Sequence, residues 1–123
     1  MPSWHEARYA GRMSFADDLR ARTFAFATDC VTFCRRLPHD GETRKISRQF
    51  LKAGTAVAAN YRSACRGRSR REFIAKLGVV VEEADETVFW LDLIERVGMA
   101  RPQETAPLRN EAMELLAILS KSL

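Results

Sequence analysis

Residues 60–73 read NYRSACRGRSRREF, and this stretch decides how two helices of the chain are joined. Gly67 is predicted to adopt the left-handed conformation that ends a helix, because glycine has no Cβ to oppose it. Ser69 and Glu72 have the S-x-x-E spacing of a capping box: the serine hydroxyl accepts from the Glu72 amide, and the glutamate reaches back to the Ser69 amide. The stretch therefore predicts one helix ending, a tight turn over residues 67–69, and a second helix beginning.

Outward from this turn, apolar residues recur three and four positions apart, which is the spacing of one face of an α-helix. Short connections favour antiparallel neighbours, and no segment alternates with the period of a strand. We predict an all-α fold: an antiparallel up-down-up-down four-helix bundle over residues 15–123, after a flexible N-terminal tail over residues 1–14 that lacks periodicity. The predicted helices cover about residues 15–37, 43–66 and 70–97, and a fourth begins near 105–107.

Two of the predicted helices have features that a single bundle does not require. The middle of the second is rich in small residues and includes Gly54, although glycine inside a helix costs about 1 kcal/mol relative to alanine. Close approach of another helix explains this glycine, and a merely tolerated glycine is the alternative. The third helix has apolar residues outside its main stripe, and exposed apolar patches commonly mark interfaces. The predicted contacts between copies of the chain are Gly54, Ala58, Val79, Phe89, Trp90 and Leu93.

The composition is that of a soluble globular domain. The chain has 123 residues, of which 46% are hydrophobic and 29% are charged, and this length favours one domain. The cysteines are odd in number and follow no secretory segment, so we expect reduced thiols in a cytoplasmic protein. Cys30 and Cys34 share one helical face and are interpreted as core residues, with a redox pair as the alternative. No apolar run is long enough to span a membrane.

Metal-binding and catalytic patterns are weak. Bundles that bind two metal ions use glutamates and E-x-x-H motifs from several helices, but the two histidines, His5 and His39, belong to no such motif. The carboxylates of residues 82–95 lie on a single helix, which favours a solvated face or ion-pair partners. The G-R-S at 67–69 lacks the spacing of a phosphate-binding loop. We predict a protein with no enzymatic activity, no cofactor and no metal.

The net charge of +4 hides an uneven distribution. Residues 35–76 contain twelve Lys or Arg and three Asp or Glu. Residues 82–104, by contrast, contain two Lys or Arg and seven Asp or Glu. A basic half of the chain therefore precedes an acidic stretch.

A line of cations follows the second helix away from its apolar stripe and continues through the turn. Such a line displaces counterions from nucleic-acid phosphates without reading sequence, and arginine suits phosphate well. Aromatic residues are few beside it, which favours contacts with the backbone of structured RNA over base stacking. The alternative is self-assembly with no nucleic-acid partner, in which the cations pair with Glu82, Glu83 or Glu86 of another copy. The predicted nucleic-acid-binding residues are Lys45, Arg48, Lys52, Arg62, Arg66, Arg68, Arg70 and Arg71.

The segments TAVAANY at 55–61, RSRREF at 68–73 and EADE at 83–86, with Trp90 and Leu91 after them, resemble the bacterial four-helix bundle proteins named after the 23S rRNA intervening sequence. The similarity covers about residues 19–123. It implies a protomer of four helices that assembles as a homopentamer. It also implies kinship with the accessory protein of diversity-generating retroelements, a basic pentameric barrel that works with a reverse transcriptase and its RNA. The implied partners are the chain itself and structured RNA or a reverse transcriptase–RNA complex.

One position departs from the family pattern. Members usually carry a glutamate three residues after the asparagine, and this chain has Ser63 there. If that acid pairs with a base near the turn, this chain is more basic at that point. The asparagine itself, Asn60, is expected to be partly buried with a hydrogen-bond partner, and to serve packing rather than function.

Overall fold

The computed structural model describes residues 4–123, with side chains described from Phe15 onward. Within that range there are four α-helices and no strand: α1 (Trp4–Arg35), α2 (Gly41–Cys65), α3 (Arg70–Arg96) and α4 (Pro102–Lys121). α2 packs against both α1 and α3, α4 packs on α3, and α1 meets α4 over a smaller contact. The all-α prediction is confirmed, and the arrangement is consistent with a four-helix bundle.

Two helices begin earlier than predicted. α1 starts at Trp4 rather than near Phe15, although the sequence there lacks apolar periodicity. α4 starts at Pro102, whose missing N–H is no loss in a first turn, and the Glu104 carboxylate accepts from the Arg101 amide at 3.0 Å. Residues 1–3 of the predicted tail lie outside the described residues, and the mobility of the tail stays a prediction.

The predicted apolar stripes form the core. Phe33 of α1 and Phe50 of α2 meet edge to face with ring centroids 5.6 Å apart, a favoured geometry for aromatic pairs. Thr87 of α3 is fully buried although it is polar, and its hydroxyl is satisfied within its own helix by donating to the Glu83 carbonyl (2.7 Å). The largest buried side chains come from all four helices and include Phe26, Phe50, Tyr61, Leu77, Leu91, Ile94, Leu115 and Leu119.

α1 and α2 approach most closely at Gly54. A Cβ on this residue would lie 2.6 Å from Cys30 Sγ and 3.2 Å from Cys30 Cβ, distances that require the neighbour to move. The predicted close approach of another helix is therefore confirmed. The cost of glycine inside α2 is offset by the packing of α1 against it.

Gly67, in the turn between α2 and α3, is required for a different reason than predicted. It does not have a positive φ, so the prediction of a left-handed helix end is wrong. α2 ends instead in a tight turn, in which the Gly67 amide donates to the Ala64 carbonyl at 3.0 Å. A Cβ on Gly67 would lie 3.1 Å from the Ala64 oxygen and 3.2 Å from the Phe73 amide nitrogen. Glycine here lets the backbones of the two helices come together.

The predicted cap of α3 is half right. The Ser69 hydroxyl accepts from the Glu72 amide at 3.1 Å, as the capping box requires. The Glu72 carboxylate, however, accepts from the amide of Arg68 (3.3 Å) rather than from that of Ser69. The Arg68 amide precedes the helix and has no intrahelical partner, so the carboxylate satisfies a donor that the helix itself leaves open.

α3 ends at Arg96, within one residue of the predicted end, and Gly98 follows its C-cap. Gly98 has φ of +80°, a left-handed conformation that glycine adopts without strain. Its amide donates to the Glu95 carbonyl at 3.1 Å, and the Met99 amide donates to the Ile94 carbonyl at 3.0 Å. These two bonds form a Schellman motif, which satisfies the last carbonyls of the helix.

Candidate nucleic-acid interface

The outer side of α2 is basic. Core residues such as Phe50, Val57 and Tyr61 occupy one side of the helix, and the cations recur at steps of three, four, ten and four on the other. At the turn of an α-helix, these steps keep the cations within an arc of about 100° on one face. The cations of this face are all exposed: Lys45, Arg48, Lys52, Arg62 and Arg66.

Three further arginines surround the turn between α2 and α3. Arg68 precedes the Ser69 cap, and Arg70 and Arg71 are the first residues of α3; all three are exposed. The Arg68 side chain is 93% exposed and lies 4.0 Å from the Glu72 carboxylate, an interaction of little strength at that exposure. We call Arg68, Arg70 and Arg71 the turn cluster.

The predicted cations have few acidic partners inside the protomer. Among the described residues, Arg68 is the only one of them that forms an ion pair. By contrast, Arg22 of α1 is held by Glu111 at 2.7 Å and Glu114 at 3.0 Å, and the hydrogen bonds to these glutamates raise the pKa of its guanidinium. Arg22 is thus held by acids of another helix, whereas the cations of the basic face are left for solvent or a partner.

A groove lies between α1 and α2, beside the basic face. Its volume is about 720 Å³, and we call it the α1–α2 groove. Arg20 also borders it but pairs with Asp17 on its own helix. Among the described residues, none with a carboxylate lines the groove. Its lining includes Phe24 and Val31 from α1 and Ala58, Ala59, Arg62 and Arg66 from α2.

Phe24 is the residue of this region that the sequence analysis missed. Its side chain is 66% exposed, the most of any large apolar residue described. It directly follows Thr23, which lies on the buried stripe of α1. The sequence signal that could have identified Phe24 is its position: a large aromatic residue that directly follows a residue of the buried stripe must point away from the core.

The outer side of α3 combines apolar and acidic residues. Val79, Glu82, Glu86 and Phe89 recur at steps of three and four and are all exposed, Val79 by 42% and Phe89 by 56%. We call these four residues the α3 ridge. Trp90 lies beside it, donates through Nε1 to the Glu86 carboxylate (3.2 Å), and meets Phe89 edge to face with ring centroids 4.9 Å apart.

The acids Glu82, Glu83 and Glu86 are crowded together on one stretch of α3. Neither Glu82 nor Glu86 forms an ion pair within the part of the chain that the structure describes. Partial burial raises the pKa of the neighbouring Glu83, and the charges of Glu86 and Glu82 raise it further; Lys52 of α2 acts in the opposite direction. The protomer leaves this negative charge largely uncompensated.

The predicted interface residues divide into two groups. Gly54 is buried against Cys30 of its own chain, so it has no surface to offer a second copy, and that assignment is corrected. Ala58 is half-buried in the α1–α2 groove. Val79 and Phe89 are exposed on the α3 ridge, and Trp90 and Leu93 are half-buried beside it.

The cysteines show no sign of a reactive site. None of the three forms a disulfide among the described residues; Cys30 and Cys65 are buried and Cys34 is half-buried. Burial raises the pKa of the Cys34 thiol to about 11, and burial of Cys30 also raises its pKa. Thiols with a raised pKa are poor nucleophiles at neutral pH. Among the described side chains, which begin at Phe15, no group of His, Cys, Asp or Glu is placed to hold a metal ion. None of the described helices is long and apolar enough to cross a membrane.

Comparison with known proteins identifies the family. The model of the 23S rRNA-intervening sequence protein family matches residues 18–121, nearly the whole chain. The chain belongs to this family. A crystal structure of a protein of unknown function from the S23 ribosomal protein family, from Bacteroides thetaiotaomicron VPI-5482, is similar with a TM-score of 0.77 and 30% sequence identity. The match covers 82% of this chain and 94% of that one. No curated protein matches.

Membership of the 23S rRNA-intervening sequence family gives the departure at Ser63 a structural meaning. Lys76 of α3 donates from Nζ to the Ser63 hydroxyl at 3.2 Å and lies 3.6 Å from the Glu72 carboxylate. A glutamate at position 63 would face this lysine directly, so serine there leaves the region next to the turn cluster more basic. Asn60 is half-buried, and no hydrogen bond of its side chain is found among the described residues, so its expected partner stays a prediction.

Proposed function

We propose that this family member is a non-enzymatic accessory protein that binds structured RNA through phosphate contacts. The turn cluster forms one binding patch, and Lys45, Arg48 and Lys52 on α2 form another. The observation that carries this proposal is that these cations are exposed and, except for Arg68, form no ion pair among the described residues. Arg62 and Arg66 border the α1–α2 groove as well as the basic face.

The chemistry of the turn cluster suits phosphate. Arginine offers a planar set of donors that matches phosphate oxygens, and it keeps its charge at every physiological pH. Arg70 and Arg71 sit in the first turn of α3, where the positive end of the helix dipole adds to their charge. Contacts of this kind bind RNA strongly and with little sequence preference.

The test is binding of a fluorescent RNA hairpin, followed by anisotropy across a salt series. For the wild-type protein we expect affinity to fall steeply with salt, because binding releases counterions. Replacing Arg68, Arg70 and Arg71 with alanine should weaken binding at every salt concentration. It should also reduce the slope of log affinity against log salt by about 1 for each phosphate that the variant no longer binds.

A matched control removes three other exposed arginines, Arg35, Arg36 and Arg96, which lie outside the basic face and form no ion pair among the described residues. This variant has the same change in net charge and should retain the wild-type slope. Equal losses in the two variants would mean that only net charge matters. No binding of the wild-type protein at low salt would remove the RNA proposal.

A second function is supported by the exposed apolar residues Phe24, Val79 and Phe89. We propose that the protomer, with the antiparallel helix order that its short connections favour, assembles as a homo-oligomer in the cytoplasm. The pentamer implied by the family is the expected size. Light scattering of the purified protein measures the mass directly, and a stable monomer at micromolar concentration would contradict this part. If the protein forms an oligomer but does not bind the RNA hairpin, the result supports self-assembly with no nucleic-acid partner.

A further inference from the structure

The α1–α2 groove and the α3 ridge have opposite chemistry. The groove is apolar, with a floor of small side chains such as Ala58 and Ala59, and it is bordered by arginines without a carboxylate. The ridge carries two glutamates between Val79 and Phe89, without a cation of its own. One surface is a basic cleft and the other an acidic projection, and both are exposed on the same protomer.

We infer that the α1–α2 groove of one protomer receives the α3 ridge of a second copy of this chain, with Glu82 and Glu86 paired to Arg66 and Arg62. This contact rests on the proposed homo-oligomer and names the surfaces that form it.

The spacing of the two surfaces fixes the register. Arg62 and Arg66 are four residues apart on α2, as are Glu82 and Glu86 on α3, so both pairs span about 6 Å along their helices. In an antiparallel arrangement Glu82 faces Arg66 and Glu86 faces Arg62. Three residues further along α3, Phe89 then lies over Ala58 and Ala59, where small side chains leave room for its ring. In a parallel arrangement with the same charges paired, Phe89 would instead lie beyond the end of α2 at Cys65, away from the small residues.

The partner is a second copy because each surface supplies what the other lacks. The part of the groove between Thr55 and Arg66 is about 16 Å long, and the ridge between Val79 and Phe89 is about 15 Å long. Covering Phe24 and Phe89 removes two of the largest exposed apolar side chains from water. Pairing also neutralises the crowded acids of α3. Because the surfaces differ, the contact is head to tail, and repetition of one such contact closes a ring or extends a filament.

Charge reversal tests the pairing. The groove variant carries Arg62→Glu and Arg66→Glu, and the ridge variant carries Glu82→Arg and Glu86→Arg. Each should be a folded monomer by circular dichroism and light scattering, with a protomer dissociation constant raised at least a hundredfold. The chain with all four changes should assemble again, because every facing pair is again of opposite charge. The control Lys45→Glu with Arg48→Glu, on the basic face outside the groove, should keep the wild-type mass.

Mixing the two variants gives a sharper result. The groove variant retains an intact ridge and the ridge variant retains an intact groove, so each mixed pair has one wild-type contact. Its two remaining ends are a groove with two glutamates and a ridge with two arginines, which are again of opposite charge. We therefore expect the mixture to assemble although neither variant does so alone. If a charge variant is unfolded, Phe89→Ala, which removes only an exposed ring, should still raise the dissociation constant at least tenfold.

The outcomes separate this contact from the proposed function. A wild-type oligomer whose mass is unchanged in both charge variants overturns the groove–ridge pairing and leaves the oligomer standing. Failure of the quadruple variant to assemble when both parents are folded also overturns the pairing. A wild-type monomer overturns both. RNA binding is measured separately, so loss of hairpin binding bears on the RNA proposal alone.

Discussion

The α1–α2 pair and the α3–α4 pair are held together by different means. α1 and α2 fit closely at Gly54 and Cys30, and their aromatic residues Phe33 and Phe50 interlock. α3 and α4 are linked by polar contacts: Arg109 donates to Asp92 at 2.7 Å, and the buried Thr105 hydroxyl donates to Glu95 at 2.6 Å.

The difference decides which charges are available to a partner. Because α1 and α2 pack by close steric fit, their contact does not require ion pairs. Arg62 and Arg66 therefore remain unpaired among the described residues. Where helices are joined by polar contacts, Arg109 and Glu95 are already engaged. The arginines that are open to a partner therefore lie on the side where the packing is steric.

The steric fit of the first pair is broken most directly at Gly54. We expect Gly54→Val to lower the free energy of unfolding by about 3 kcal/mol, because its Cβ overlaps Cys30 Sγ in a packed core. Chemical denaturation at one fixed protomer concentration measures it. Gly78→Val on α3 is the matched control, since a Cβ there meets nothing within 4 Å, and it should change stability by less than about 0.5 kcal/mol. Equal losses at the two glycines would show that helix propensity, not close approach, is responsible.

The polar link of the second pair is weakened by Thr105→Val. Thr105 is fully buried, and valine has its shape but cannot donate to the Glu95 carboxylate. Hydrogen bonds to charged groups contribute more than neutral ones, so we expect a loss of about 1.5 kcal/mol. Thr32→Val is the control, because the Thr32 hydroxyl is exposed and bonds only to its own helix. A loss no greater than that of Thr32→Val would mean that the Thr105–Glu95 contact contributes nothing.

The exposed ion pair of Arg109 with Asp92 is expected to matter less. The two side chains are 42% and 53% exposed, so solvent and salt screen the pair. A double-mutant cycle with Arg109→Ala and Asp92→Ala should give a coupling free energy of about 0.2–1 kcal/mol that shrinks in high salt. A coupling free energy that does not shrink in high salt would indicate that the two side chains interact by something other than electrostatic attraction.

The smallest effect is expected at Glu83, where the acidic side of α3 costs stability. The pKa of Glu83 is raised in the folded protein, first by partial burial and then by Glu86. As pH rises, the unfolded chain loses this proton before the folded one, so stability falls between the ordinary glutamate pKa and the raised one. Glu83→Gln should remove this decline, and Glu86→Gln part of it, in denaturation curves recorded as a function of pH. Stability of Glu83→Gln that falls as steeply as in the wild-type protein would assign the decline to other groups.

The sequence predicts the core of this protein well and its outer surfaces only in part. Residues spaced by three and four locate the buried faces, and S-x-x-E locates the start of α3. The role of Gly67 is not readable from the sequence, because a left-handed turn and a close backbone approach both require glycine. The groove at Phe24 is equally hidden, since it depends on how α1 lies against α2. The same limit applies to Gly54, whose neighbour proved to be α1 of its own chain.

The close contact of Gly54 with Cys30 also provides a built-in probe of local opening. The Cys30 thiol is fully buried in that contact, and burial raises its pKa, so a thiol reagent can modify it only when α1 and α2 move apart. The half-buried Cys34, one turn away, serves as an internal reference. The ratio of the two modification rates then reports how often this helix pair separates, without any label being added to the chain.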